Sequence, residues 1–440
     1  MSAPAREDYN VVPGGRLTGR LRVPGDKSIS HRAIILSSIA KGTTEITGFL
    51  EGEDNLATVR AFRAMGVEIE GPKLGRCVVH GVGLYGLTPA LAPLDLGNSG
   101  TSMRLLAGLL AGQRFDTELL GDASLSRRPM RRVTQPLSAM SALIETSSQG
   151  TAPLRVRGGR LLRGIDYRLP IASAQVKSSV LLAGLYAKGR TCVTEPLPTR
   201  DHTERMLKAF GCPATINGAT VCIEGGSQLT GTRLEVPGDI SSATFFLVGA
   251  SIAAGSDLLL ESVGVNPTRV GAIDILREMG ADITLEHARR MGDEPVADIR
   301  VRARRLKGVH IPEALVPLAI DEFPALIIAA ACAEGETVLK GAEELRVKES
   351  DRIQVMAEGL QALGIKAQPS PDGLCIRGGT LKGGRVQSHG DHRIAMAFAI
   401  AGLKAEGRIE IEDCANVETS FPGFVELARK AGLQVFPARN

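Results

Sequence analysis

The sequence predicts an α/β protein assembled from six copies of one unit and divided into two halves. Two observations carry this. Six times, at intervals of 66 to 80 residues, a polar stretch runs into an apolar segment of small residues, reaches a glycine and continues as a short β-branched or alternating run. Those glycines are Gly42, Gly112, Gly189, Gly255, Gly335 and Gly407. In addition, LTGRLRVPGD (17–26) returns with one insertion as LTGTRLEVPGD (229–239), so three units make a half. Recurrence at a near-constant interval marks one supersecondary unit repeated along the chain.

Each unit reads roughly strand, helix, strand, helix, strand, strand. The first helices are AIILSSIAKG, RLLAGLLAG, VLLAGLYAKG, FFLVGASIAAG, LIIAAACAEG and MAFAIAGLKAEG. A glycine ending such an apolar 3.6-residue pattern is a helix C-cap signal, and TTEITGF, RTCVTEP, SDLLLES and their counterparts behind it are strand signals. The second helices are VRAFRAMG, ERMLKAFG, AIDILREMG, GLQALG and FVELARKAG, each ending in a hydrophobic residue or alanine, a glycine and another strand-like run; the copy RRVTQPLSAMSALIET lacks the glycine. The duplication places one domain over 21–237 and another over 238–440. Residues 1–20, with the strand candidate Asn10, Val11 and Val12, are expected to join the second.

At 440 residues, 43% hydrophobic and 23% charged, the chain is long enough for two domains with substantial cores. A net charge of +4 favours neither nucleic acid nor membrane, and 3% aromatics without Trp speak against base-stacking platforms. Seven cysteines with no C-x-x-C pair argue against a disulfide framework or a thiolate zinc site and fit a reducing cytosol. MSAPAREDYN has no apolar signal-peptide core, and no run approaches the ~18 apolar residues of a membrane span. A cytoplasmic protein, expected to be a monomer, is the reading.

The duplication separates scaffold from chemistry. Both half-starts keep Pro-Gly-Asp and a serine, which read as a turn and a helix N-cap. Only the first carries Lys27, His31 and Arg32, where the second has Ile240, Thr244 and Phe245. These charges form either a solvated basic helix face or an anion site at a helix N-terminus, whose free N–H groups and dipole attract anions. Two further first helices open similarly, at Gly97–Ser102 ahead of Arg104 and at Ser173, Ala174, Gln175 and Lys177. The second helices open on basic stretches with Arg127, Arg128, Arg131 and Arg132, with Arg200 and His202, and with Arg346, Lys348 and Arg352; Arg393 opens the last first helix. Arginine suits bidentate recognition of carboxylate and phosphate, at about 1.5 to 3 kcal/mol per charge-assisted bond. Six equivalent loops of this kind predict a small polyanionic ligand.

Two carboxylates stand among these bases. Asp321 opens the apolar run AIDEFPALII as either an N-cap or a group with a tuned pKa, and Glu349, between Lys348 and Arg352, is either a helix ion-pair member or an acid. Two carboxylates in different surroundings are the equipment of general acid–base chemistry. His389 and His392 with Asp391 are weak as a metal site. No phosphate-binding P-loop, dinucleotide fingerprint or nucleophile elbow is present.

PGDKSISHR (24–32), LGNSGT (96–101) with Met103 and Arg104, LRVKESDR (345–352) and DHRIAM (391–396) together resemble the EPSP synthase (3-phosphoshikimate 1-carboxyvinyltransferase) family over about residues 15–430. The resemblance implies a two-domain inside-out α/β barrel, each domain of three βαβαββ units. It implies transfer of the enolpyruvyl group of phosphoenolpyruvate to the 5-hydroxyl of shikimate 3-phosphate, with release of phosphate and no cofactor or metal. Shikimate 3-phosphate would be bound by Lys27, Ser28, Arg32, Ser173, Ala174, Gln175, Arg200 and Lys348. Phosphoenolpyruvate would meet Lys27, the Gly100 backbone, Arg128, Gln175, Arg352 and Arg393. Asp321 would take the hydroxyl proton and Glu349 would protonate the methylene carbon beside Lys27.

SAQVK (173–177), RDHTE (200–204) and NPTR (266–269) resemble the class II branch, associated with glyphosate tolerance. That tolerance goes with an alanine where this chain has Gly100. The UDP-N-acetylglucosamine enolpyruvyl transferases share fold and donor but carry a cysteine in the loop matching 121–129, which has none here. A non-catalytic phosphate-binding repeat protein would retain the glycines and lose Asp321 and Glu349.

Overall fold

The structure, a computed structural model, describes residues 7–439. Among these, twelve α-helices alternate as first and second helix of the six copies. They are α1 (Lys27–Ser38), α2 (Glu53–Ala64), α3 (Gly100–Ala111), α4 (Arg131–Ala139), α5 (Ala174–Gly184), α6 (His202–Ala209), α7 (Ile240–Ile252), α8 (Gly271–Glu278), α9 (Phe323–Ala331), α10 (Arg352–Ala362), α11 (His392–Ala401) and α12 (Phe424–Ala431). Each copy has its own sheet, five of four strands and one of three.

The sheets share one plan. Strand Lys41–Thr47 pairs in parallel with Arg233–Glu235 on one side and antiparallel with Arg76–Val82 on the other, which in turn pairs with Glu68–Lys73. In the sixth copy Glu7–Val11 lies between Ile409–Glu412 and Val435–Arg439, so a strand from the start of the chain completes the last sheet. The first helices form the interior. Every residue of α7 and α9 is buried, as apolar composition on all sides of a helix requires, while the second helices keep one polar face. A Cβ on Gly108 of α3 would lie 2.0 Å from the Ser179 carbonyl oxygen of α5, so glycine is what lets these helices touch.

The C-cap reading of the first-helix glycines needs correction. Gly42, Gly189, Gly255 and Gly335 have φ between +79° and +97° but stand three to five residues past the helix end, turning the chain into the strand. Gly112 is the C-cap of α3, yet with φ −88°, and a Cβ there would strike the Tyr186 ring. The second-helix glycines Gly66, Gly211, Gly280 and Gly364 do follow their C-cap residues with positive φ. In the copy without glycine, Ser141 adopts the same conformation, at φ +74°.

The chain divides into two compact units. One comprises Gly25–Val236 together with Met291–Glu294; the other runs through Pro24, resumes over Pro237–Arg290 and again from Pro295 onward. The boundary falls near Pro24 and Val236, so residues 21–24, placed by the duplication in the first domain, belong with the second, where Thr18–Leu21 pairs with Asp257–Gly264. The cysteine reading, which argued against a disulfide framework, did not anticipate the bridge that Cys192 and Cys222 form. They are directly opposite on antiparallel strands, a proximity that a separation of 30 residues does not announce.

Candidate functional site

The unit holding Gly25–Val236 gathers its cations at helix N-termini. The Asp26 side chain accepts from the Ile29 N–H at 2.8 Å and caps α1, just as Asp239 caps α7, so Pro-Gly-Asp is scaffold in both halves. Lys27, the first residue of α1, has its ammonium 2.5 Å from Asp54. Arg200 donates to the Ser28 hydroxyl at 3.3 Å. Arg32 is buried and donates to Ser28 O, Thr203 Oγ1 and Ser178 Oγ, tying α1 to α5 and α6.

Gly100, the first residue of α3, lies beside two guanidinium groups: a Cβ there would be 3.1 Å from Arg104 Nη1 and from Arg128 Nη1. Arg104 donates to Gln175 Oε1 at 2.6 Å, Gln175 donates to Thr101 Oγ1, and Arg128 donates to Asn98 Oδ1 at 2.5 Å. Ser173 caps α5 by accepting from the Val176 N–H, with Ala174 as the first helical residue. Helix N-termini, backbone N–H groups and arginines here make surroundings suited to small anions.

In the other unit, Arg352 organises the polar groups. It is the first residue of α10 and almost wholly buried. Its guanidinium reaches Glu349 at 2.6 Å, Asp391 at 2.8 Å and Asp321 at 3.4 Å. Burial opposes its charge, but Asp391, Glu349 and Asp321 outweigh that and raise its pKa above the usual arginine value. Lys348 lies 3.5 Å from the same Asp321 oxygen. Asp391 also caps α11 by accepting from the N–H of Arg393, whose side chain is 9% exposed. Asp321 is not a helix cap, since the N-cap position of α9 belongs to Glu322. Nor is Glu349 part of a helix: it precedes α10 and reaches forward to Arg352.

Several basic residues singled out in the sequence serve the scaffold. His31 is fully buried, its Nδ1 2.8 Å from Thr58 Oγ1, so it links α1 to α2 and is no anion ligand. Burial, reinforced by Lys27 and Arg32, holds its pKa well below the usual histidine value. His202 is buried against Glu294 at 2.7 Å, Arg346 pairs with Asp351, and Lys177 is buried between two glutamates. Sequence reasoning missed Asp54. Its signal is the acidic Glu51 ahead of α2 with Glu53 and Asp54 in the helix's first turn, where α4, α6 and α10 open on basic residues.

The EPSP synthase (3-phosphoshikimate 1-carboxyvinyltransferase) family model matches residues 11–427. A 3-phosphoshikimate 1-carboxyvinyltransferase of Methylococcus capsulatus is 68% identical over 97% of this chain and 98% of its own length. One from Alkalilimnicola ehrlichii is 70% identical over 97% and 96%. The solved EPSP synthase of Acinetobacter baumannii superposes with a TM-score of 0.88 at 56% identity, covering 98% of this chain and all of that one.

Proposed function

The chain belongs to the EPSP synthase (3-phosphoshikimate 1-carboxyvinyltransferase) family, and we propose how its residues carry that family's reaction. It is a transferase of the shikimate pathway that moves the enolpyruvyl group of phosphoenolpyruvate to the 5-hydroxyl of shikimate 3-phosphate and releases phosphate. In this reading Lys27, Ser28, Arg32, Ser173, Ala174, Gln175, Arg200 and Lys348 bind shikimate 3-phosphate. Lys27, the Gly100 N–H, Arg128, Gln175, Arg352 and Arg393 bind phosphoenolpyruvate.

Asp321 takes the hydroxyl proton as the oxygen bonds to C2, and Glu349 delivers a proton to the methylene carbon. The tetrahedral adduct then loses phosphate from C2 and a proton from the new methyl group, restoring the double bond. Protonation of the methylene carbon develops positive charge at C2, which carboxylates stabilise while arginines hold the anionic ends.

The observation that carries this is Arg352: one buried guanidinium is bonded to both Asp321 and Glu349 and holds the acid and the base in fixed geometry. The test is phosphate release from phosphoenolpyruvate with shikimate 3-phosphate added. Asp321→Ala is expected to lower kcat by about 10²- to 10⁴-fold, and a wild-type rate would remove Asp321 from the mechanism. UDP-N-acetylglucosamine as acceptor is expected to give no release.

No described helix is long and apolar enough to cross a membrane. The proposed cytoplasmic location rests on the small soluble anions it uses, since the Cys192–Cys222 bridge weakens the cysteine argument for a reducing cytosol. The proposed monomer is checked by light scattering.

A further inference from the structure

We propose that Lys177 is a positioning residue for shikimate 3-phosphate, its ammonium fastening both ends of the loop that presents Arg200. The proposal rests on the reading in which Arg200 binds that substrate.

Lys177, in the first turns of α5, is 1% exposed. Its Nζ lies 2.8 Å from Glu195, which is largely shielded, and 2.7 Å from the buried Glu204. Glu195 directly follows the strand Arg190–Thr194, and Glu204 lies in the first turn of α6. The residues between them carry Arg200, which donates to Ser28. Thr199, immediately before Arg200, donates to the second oxygen of Glu195, so the loop is bound to the same cluster from inside. One cation thus closes the loop at its base.

Stability alone does not account for this arrangement. A buried ion cluster is often no better than an apolar substitute of the same volume, because desolvation offsets the attraction. What it supplies is geometry, since two carboxylates converging on one ammonium allow few arrangements of the segment between them. Removing Lys177 leaves Glu195 and Glu204 adjacent and uncompensated, and their repulsion opens the loop. Arg32, bonded to Ser178 and Thr203, holds α6 to α5 independently, so the displacement is confined to the Arg200 segment.

The experiment measures KM for each substrate in wild type, Lys177→Met, Arg200→Ala and the double variant. Lys177→Met is expected to raise KM for shikimate 3-phosphate by about tenfold or more while leaving KM for phosphoenolpyruvate within about twofold. In the Arg200→Ala background the same substitution is expected to change it by less than about twofold, since residues acting through one contact are not additive. Equal effects with and without Arg200, or both KM values rising together, overturn the positioning role alone. An Arg200→Ala enzyme with unchanged KM for shikimate 3-phosphate refutes the Arg200 assignment and this proposal with it. Should Lys177→Met fail to fold, the neutral variant Lys177→Met, Glu195→Gln, Glu204→Gln substitutes, and a wild-type KM there overturns the proposal.

Discussion

The Arg352 guanidinium donates from Nε to Asp391 Oδ2 at 2.8 Å, with both side chains almost sealed from solvent. Asp391 also accepts from Ser350 and caps α11. Asp391→Ala therefore removes a cap and weakens the compensation of a buried cation. The expected loss is about 3 kcal/mol of stability, read as a lower urea midpoint, together with weaker phosphoenolpyruvate binding. An unchanged midpoint would show that Glu349 and Asp321 suffice.

Gly100→Ala places a methyl group 3.1 Å from the ends of both Arg104 and Arg128, so these guanidinium groups must retreat by a few tenths of an ångström. KM for phosphoenolpyruvate is expected to rise modestly. The glyphosate inhibition constant is expected to rise by about tenfold or more, a difference of about 1.4 kcal/mol. Inhibition constants for both enzymes check it, and equal values would remove the steric explanation.

Ser141 holds, with a side chain, the left-handed conformation that glycine provides after the other second helices. It is exposed, and its N–H bonds to Ser138 O as Gly66 does to Arg63 O. Relieving the Cβ strain costs some unfolded-state entropy. Ser141→Gly is still expected to stabilise by about 0.5 to 1 kcal/mol, visible as a higher Tm. A lower Tm would mean that the serine is not strained there.

His31 is neutral in the folded protein because burial and its cationic neighbours depress its pKa. The unfolded chain takes up a proton below about pH 6.5 that the folded one refuses, so stability is lost as pH falls through that value, by at most about 1.4 kcal/mol per pH unit. The urea midpoint is expected to fall between about pH 7 and 5. His31→Asn, which keeps a polar atom near the Nδ1 position, should flatten the slope; an unaltered slope would assign the acid sensitivity elsewhere.

Much of the architecture was legible in the sequence because periodicity and glycine placement are local. Eleven of the twelve described helices lie where apolar patterns end near glycines, Ser141 standing in for the glycine after α4, and the basic loops stand at helix N-termini. Illegible were the features set by tertiary neighbours. A histidine between Lys27 and Arg32 reads as part of a cationic patch, but helical geometry turns His31 inward to Thr58. Asp54 is 27 residues from Lys27, and Glu195 is 18 from Lys177, separations at which sequence carries no pairing signal. For Asp321, local sequence left two readings open, and only the position of Glu322 at the start of α9 closed one.

The duplication invites cutting the gene between its halves, yet the chain does not come apart at a single cut. A fragment ending at Val236 would forfeit Met291–Glu294, and with them the carboxylate that faces His202 in the interior. Its complement would lose Glu7–Val11, which lies inside a sheet and bridges two strands that would otherwise be left as open edges. Each half borrows a piece of backbone from beyond the other's boundary. Two fragments cut at Val236 would therefore each lack a strand or turn that the other carries, and no single cut yields two self-sufficient halves.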